Sequence, residues 1–397
     1  MKDILVINSG SSSIKFQLIE AKTERVIVKG AAEKLGLDES FMTLKLDGKE
    51  FDVALPPRSN HADALGALFG FMDQHDLGKD LSAVGHRVVH GGETFRESVL
   101  IDDKVIAGIK AATPFAPLHN PANLLGIEAV AKINPDLPQV AVFDTAFHST
   151  MPPEAYRYAV PTDWYKKHGV CRYGFHGTSY QFVTARAAQL LGKEVGDVNL
   201  IIAHLGNGAS VAAIRGGRSV ATTMGFTPLA GLPMATRSGN IDPGIIPFIM
   251  ERENLSASEV IDALNKKSGH GATTGTLFDW RDITPAALSG NADAKLAFDI
   301  FTRKVAKYIA GFMADLPSLD ALVFTAGVGG NDHVVRAAIV ERLGIFGFKM
   351  DDKLNAETLD RKGKEGLISD AKSTFPVYMI GTNEELMIAR DTARIVG

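Results

Sequence analysis

The sequence predicts an α/β protein of two domains, each raised on the same strand–hairpin unit. Three observations carry this. The chain has 397 residues, enough for two or three domains at roughly 100–200 residues each. Its opening, "DILVINSGSSSIKFQLIEAKTERVIVKG", reads apolar strand, small polar loop, strand, turn, strand. "NLIIAHLGNGASVAAIRGGRSVATT", starting at Asn199, reads the same way with little sequence identity, so what repeats is architecture. Two such units facing each other would set two anion-binding hairpins across a central cleft.

The elements follow in order. Ile4–Asn8, Ser13–Ile19 and Arg25–Ala31 read as a strand meander, and Asp47-Gly48 is a hairpin turn between Phe41–Leu46 and Phe51–Leu55. Ala62–Gln74 carries helical spacing, Val84–His90 is a strand, Asn120–Ile133 a helix, and Gln139–Asp144 a buried strand. Pro152-Pro153 breaks the pattern, which puts a domain boundary near residue 150. In the second half, Thr178 is a plausible N-cap for a helix Ser179–Leu191. "ALVFTAGVGGNDHVVRAAIVERLG" reads strand, glycine loop, helix, with Asn331 and Asp332 at the helix start. "NEELMIARDTARIV" is a last helix that could cross back. The expected domains are 1–149 completed by 385–397, and 150–384.

Composition narrows the function. Hydrophobic residues make up 45%, charged residues 22%, and the net charge is -4 with no long run of one sign. Nucleic acid and anionic membrane surfaces are therefore not expected partners. Cys171 is the single cysteine, which rules out an internal disulfide and a thiolate metal cluster. No apolar run approaches the ~18–20 residues of a membrane helix, and the N-terminus lacks a signal-peptide core, so a cytoplasmic protein is expected.

Small-residue turns and helix N-termini bind phosphate through backbone N–H groups. Asn8–Ser13, Gly206–Gly208 and Ala326–Gly330 qualify, although none is a phosphate-loop NTPase motif or a dinucleotide fingerprint, and each alone reads more readily as a plain turn. "VGHRVVHGGE" puts His86, Val88 and His90 on one strand face and Arg87 and Val89 on the other. Arg87 suits either a charged ligand in a tight pocket or a solvated edge strand. Asp144 stands just past a strand end, where open α/β sheets place functional groups, or caps the next turn. His176 lies near a helix start between Gly174 and Gly177. Arg237, in "MATRSGNIDPG", has few structural duties, so a phosphate or carboxylate contact is favoured. Glu384 and Glu385 open the last helix, where acids also stabilise the helix unaided. Anion cradles, arginines, histidines and separated carboxylates form the set that phosphoryl transfer needs.

"VINSGSSSIKF", "GHRVVHGGE", "PLHNPANL", "VAVFDTAFH", "RYGFHGTS", "HLGNGASV", "MGFTPL", "TRSG" with "DP", and "TNEEL", in this order along the chain, resemble the acetate kinase family. The resemblance implies the duplicated ribonuclease-H-like fold of actin-like ATPases and a homodimer. It also implies reversible, Mg2+-dependent (or Mn2+-dependent) transfer between ATP with acetate and ADP with acetyl phosphate. Residue by residue, it implies that Arg87, Asp144, His176 and Arg237 are catalytic. Val89, Leu118, Phe175 and Pro228 would line the methyl pocket. Ser13, Lys15, His204, Asn207, Gly208, Asp279, Arg281, Gly327, Gly329 and Asn331 would contact nucleotide. Asn8 and Glu384 would lie at the metal, and His119 and His204 would support the transition state.

The chain departs from the family pattern at Tyr180 (usually His), Ala230 (usually Glu), Ala235 (usually Gly), Asn240 (usually Asp) and Gly330 (usually Glu). Several departures lie on the nucleotide side, so another donor stays open beside ATP. Propionate or butyrate stays open as acceptor, because one methylene changes discrimination by only about 1–3 kcal/mol. A nucleotide-binding scaffold without transferase activity is the competing class. The joint presence of Arg87, Asp144, His176 and Arg237 argues against it.

Overall fold

The structure, a computed structural model, describes residues 3–397. The chain divides into two compact units, one running to Ser149 and resuming at Asn383–Gly397, the other Thr150–Thr382. In the first unit, strands β1 (Asp3–Ser9), β2 (Ile14–Glu20), β3 (Val26–Glu33), β4 (Phe41–Leu46), β5 (Lys49–Ala54), β6 (Leu81–Val88), β7 (Val99–Leu100) and β8 (Gln139–Phe143) form one sheet. Their order is β5-β4-β3-β2-β1-β6-β8-β7. β1 to β5 form an antiparallel meander, while β6 runs parallel to β1 and β8 parallel to β6. Parallel neighbours need crossovers, and helices His61–Gln74 and Asn120–Ile133 supply them. The first starts at a capping box between Asn60 and Asp63.

Both faces of this sheet are covered, which is why Ile4–Ile7 of β1 and Val140–Phe143 of β8 are unbroken apolar runs rather than alternating. Leu5, Ile7, Ile14 and Phe16 pack with Leu65, Leu68 and Met72 of the helix His61–Gln74. On the opposite face Ile4, Val6, Val140 and Val142 pack with Ile388 and Ala389 of the C-terminal helix Glu384–Val396. That helix lies so close that a Cβ on Gly85 of β6 would stand 2.3 Å from Thr392 Oγ1.

The second unit holds β9 (Asn199–Leu205), β10 (Ala209–Arg215), β11 (Arg218–Thr222), β12 (Ala321–Thr325), β13 (Gly366–Leu367) and β14 (Val377–Met379), in the order β11-β10-β9-β12-β14-β13. β9, β10 and β11 are antiparallel, and β12 and β14 continue parallel to β9. The runs β3-β2-β1-β6-β8 and β11-β10-β9-β12-β14 therefore share one order and one set of directions. The repeat read from two glycine hairpins is a repeat of topology, and the fold is the duplicated actin-like α/β fold.

Three local readings need correction. β6 ends at Val88, so His90 stands beyond the strand and not in its alternation. The helix expected from Ser179 starts at Gly177, with His176 at its N-cap in the left-handed region (φ 61°). Thr178 does not cap it, and its buried hydroxyl has no partner among the described residues. The glycine "loop" after β12 is itself a helix, Ala326–Asn331; Asp332 caps the next one by accepting from Val334 and Val335 N–H. Among the described residues no helix is long and apolar enough to cross a membrane.

Candidate active site

In the first unit the parallel strands β1, β6 and β8 end along one edge, and each delivers a polar side chain there. Ile7 pairs with His86 across β1 and β6, and Arg87 pairs with Val142 across β6 and β8. Asn8, Arg87 and Asp144 thus emerge at neighbouring carboxyl ends, the usual place for function in open sheets. Strand alternation puts all three on the face covered by the C-terminal helix, because Val6, Gly85 and Val142 face that helix. β6 is an interior strand, so Arg87 is not the solvated edge arginine.

Arg87 meets Asp144 through two parallel hydrogen bonds, Nε to Oδ1 at 2.9 Å and Nη2 to Oδ2 at 2.6 Å. Its side chain is 24% exposed and that of Asp144 3%. Burial alone would lower the Arg87 pKa, but Asp144, Glu384 and Glu385 together raise it. Nη1 also points at Asn8 Oδ1, 3.5 Å away. The fork fixes the guanidinium plane and leaves Nη1 donors for a ligand. Asp144 spends both oxygens on this pairing, which suits an orienting group better than a base.

The C-terminal helix brings its acidic first turn to the same edge. Burial raises the Glu384 pKa to about 7, helped by Asp144 and Glu385 and opposed by Arg87 and Lys15. Lys15 is exposed on β2 and lines a depression of about 340 Å³ with Lys29, Lys45, Glu50 and Glu385. Its contribution to this edge is long-range charge.

The second unit presents a different assembly. The Gly206–Gly208 turn between β9 and β10 is closed by Gly206 N–H donating to Gly208 C=O at 3.1 Å. Ala235 N–H donates to Asn207 C=O at 3.3 Å, tying the turn to the Arg237 loop. That loop is held in turn by Ser268 and His270, whose N–H groups donate to the carbonyls of Thr236 and Met234. A Cβ on Gly208 would stand 3.3 Å from His176 Nε2 and 3.9 Å from Arg237 Nη1, so glycine leaves a gap where two nitrogens converge. Among the described residues the Arg237 guanidinium has one partner within hydrogen-bonding range, Met234 Sδ at 3.6 Å, and burial lowers its pKa. A half-buried guanidinium without a carboxylate is costly unless an anion arrives. The His176 ring stacks on His204, centroids 4.1 Å apart and planes within 17°.

The remaining expected positions scatter in exposure and partners. Val89 and Phe175 are buried at 6% and 2%, whereas Leu118 is 58% exposed and Pro228 half-buried. Asp279 caps the helix Trp280–Leu288 and holds Arg281 in a bidentate pair that is largely solvated. Gly327 and Gly329 belong to the short helix after β12. Asn331 closes it by donating to Gly327 C=O and accepting from Arg361 N–H. Ser13 is half-buried beside Gly10, whose N–H donates to Ser13 C=O at 2.7 Å. His119 is the N-cap of the helix Asn120–Ile133.

Supporting residues escaped the sequence reading. Asn123 accepts from Val89 N–H and donates to Ser9 C=O, while Asn120 accepts from His90 N–H and donates back to its carbonyl. Both lie in the "HNPAN" stretch. Ser210, two residues past Gly208, touches both His176 and Tyr180. Two departures from the family pattern also find partners. Asn240 donates to Tyr308 Oη, which an aspartate could not do, and a Cβ on Gly330 would meet Asp360 Cβ at 3.0 Å.

A strand-end arginine, a carboxylate edge, and a loop arginine beside a glycine-lined anion gap, on a duplicated actin-like fold, define a phosphotransferase. The chain belongs to the acetokinase family, whose family model matches residues 3–390. It is similar to the acetate kinase of Thermotoga maritima, 50% identical over 99% of this chain and 98% of that protein. It is 48% identical to the acetate kinase of Geobacillus kaustophilus over 100% and 99% of the two chains. Among solved structures, Porphyromonas gingivalis acetate kinase superposes with a TM-score of 0.93 at 42% identity, covering 100% of both chains. A propionate kinase from Francisella tularensis gives 0.95, also at 42% identity and 100% of both.

Proposed function

We propose that the protein is an acetate kinase, moving a phosphoryl group reversibly and directly between ATP and acetate to give ADP and acetyl phosphate. The observation that carries the reading is the gap above Gly208, where His176 Nε2 and the carboxylate-free Arg237 converge. A phosphoryl group in flight carries its charge on equatorial oxygens, and preorganised donors stabilise that charge without reorganising. His176 and Arg237 would hold those oxygens, with His119 and His204 in support. Arg87, its plane fixed by Asp144, would take the acetate carboxylate. Acetate is already ionised near neutral pH, so Asp144 need not remove a proton. Val89, Leu118, Phe175 and Pro228 would enclose the methyl group. Ser13, Lys15, Asn207, Gly208, Asp279, Arg281, Gly327, Gly329 and Asn331 would contact the nucleotide.

The residues also fit Mg2+. No cluster of three acidic, histidine or cysteine ligands occurs among the described residues. Mg2+ bound with nucleotide needs only one or two protein carboxylates beside phosphate oxygens and water. Glu384, half-buried with Asp144 and Glu385 near it and its pKa raised to about 7, is a carboxyl that a cation would complement, with the Asn8 amide oxygen beside Arg87 on the same edge. When bound, Mg2+ neutralises charge developing on the phosphates.

Acetyl hydroxamate formation from acetate, ATP and hydroxylamine tests the reading, and no product above background would reject it in favour of a scaffold. Specificity is read from kcat/KM over acids of increasing length and over several donors; ATP working no better than the other donors would reject it as the preferred donor. We also propose a cytoplasmic homodimer. In the helix Ile245–Glu253 no residue is buried, and Ile245 and Phe248 are 43% and 55% exposed. Exposed apolar faces of this kind mark association sites. Light scattering is expected to give a dimer that Phe248→Asp weakens.

A further inference from the structure

We propose that Tyr180 and Ser210 form a hydroxyl relay that fixes the tautomer of His176, so that its Nε2 carries the hydrogen aimed into the gap above Gly208. The inference rests on the reading of His176 as a donor to phosphoryl oxygens, and it assigns Tyr180 and Ser210 as positioning residues.

The geometry is a chain of two short contacts. Tyr180 Oη lies 2.6 Å from Ser210 Oγ, and Ser210 Oγ lies 2.8 Å from His176 Nδ1. Tyr180 and Ser210 are both fully buried. Burial raises the phenol's pKa, offset only in part by the contact with Ser210, so the phenol keeps its hydrogen and has it to donate to Ser210 Oγ. Ser210 has one hydrogen. If its oxygen accepts from Tyr180, that hydrogen is free to be donated to His176 Nδ1. An accepting Nδ1 leaves a neutral imidazole with its hydrogen on Nε2. The opposite direction would place the hydrogen on Nδ1 and present a bare Nε2 lone pair, which repels an anion.

The ring that receives this instruction is fixed in other ways too. His204, on which it stacks, has Nδ1 2.8 Å from Ser179 Oγ. Ser179 and Tyr180 are consecutive in the first turn of the helix Gly177–Leu191, so one turn holds both imidazoles. Ser210 stands opposite His204 across β10 and β9, which sets its height along the sheet. The choice of Tyr180 is where this chain departs from the family's usual histidine. Near neutral pH a phenol arrives with its hydrogen, whereas a neutral histidine offers either a donor or an acceptor.

The test pairs kinetics with the tautomer itself, measured on full-length protein labelled with 15N-histidine, the His176 signals being assigned by their loss in His176→Asn. Wild type is expected to show the Nε2–H pattern at His176. Tyr180→Phe is expected to shift it toward a mixture and to lower kcat about tenfold to a hundredfold, the usual cost of losing an orienting partner, with KM values within about twofold. Ser210→Ala should act at least as strongly, and Ser210→Thr should restore both readouts. An Nδ1–H pattern in wild type, or Tyr180→Phe leaving tautomer and kcat unchanged, overturns the proposal. If His176→Asn keeps near-normal turnover, the phosphoryl-donor reading fails, while the 15N spectra still decide the relay.

Discussion

The two units share strand order and direction, yet they handle charge in opposite ways. At the parallel strand ends of the first, charge is compensated within the protein: Arg87 is locked to Asp144, and Glu384 and Glu385 stand nearby. Around the first hairpin of the second, charge is left open: Arg237 has a sulfur contact, and Gly208 keeps side chains out of the gap beside it. The same backbone can therefore build a site that presents a pre-oriented donor and a site that waits for an anion. What differs is the partner: Asp144, just past β8, takes the Arg87 fork, whereas no carboxylate among the described residues lies within hydrogen-bonding range of Arg237.

The widest test of this contrast uses the two arginines. Arg87→Ala and Arg237→Ala are both expected to lower kcat by about a hundredfold or more, the scale of losing a donor to transition-state charge. Their stabilities should part. Without Arg87, Asp144 is left 3% exposed and uncompensated, which costs roughly 3 kcal/mol. Without Arg237, a desolvated cation is removed and stability is unchanged or higher. Urea unfolding of both variants measures the difference, and equal losses would erase the contrast.

A pair of glycines sharpens it at smaller scale. A Cβ on Gly85 would stand 2.3 Å from Thr392 Oγ1 and 2.7 Å from Ile388 Cγ2, so Gly85→Ala must push the C-terminal helix away. Overpacking of this kind costs about 1–3 kcal/mol. At Gly208 the three atoms nearest the added methyl would all belong to side chains, His176 Nε2 at 3.3 Å being the nearest. Gly208→Ala is expected to fold normally and to raise the KM for nucleotide or lower kcat by filling the anion gap. Thermal unfolding together with steady-state kinetics separates the two outcomes.

How far the sequence went follows the same division. The duplicated topology was legible because glycine hairpins and apolar strands leave local signatures, and the strands buried on both faces read as unbroken apolar runs. Arg87, Asp144 and Arg237 stood out because charges beside apolar strands or in glycine loops are locally anomalous. The partners of those residues were not legible. The Arg87–Asp144 fork spans 57 positions and depends on strand register, and the Tyr180–Ser210 contact spans 30. The helix at Ala326–Asn331 was misread because glycine argues for a loop. Here burial of Val328, Gly329 and Gly330 against the sheet overrides that preference.

The smallest expected effect lies within the first unit, where titrations oppose one another. Burial lowers the pKa of His86 and His90 from 6.5 to about 4, as it does for His270 in the second unit. Between these values the unfolded chain binds more protons, so the histidines make stability rise with pH up to about 6.5. Glu384 works the other way. With a folded pKa of about 7 against an ordinary 4.5, it keeps a proton that the unfolded chain has lost, and stability falls as pH climbs through that window. Three histidines outweigh one glutamate, so the whole protein should gain stability from pH 4 to 6.5. The glutamate is visible only as a difference. Glu384→Gln is expected to gain on wild type by on the order of 1–2 kcal/mol between pH 5 and pH 7.5, the full linkage being reduced by water's access to a half-buried group. Urea unfolding at a series of pH values supplies the comparison. A wild-type-minus-variant difference that is flat across the window would mean that Glu384 is already ionised at pH 5, and the acidic edge would then be as fully compensated as the Arg87–Asp144 pair beside it.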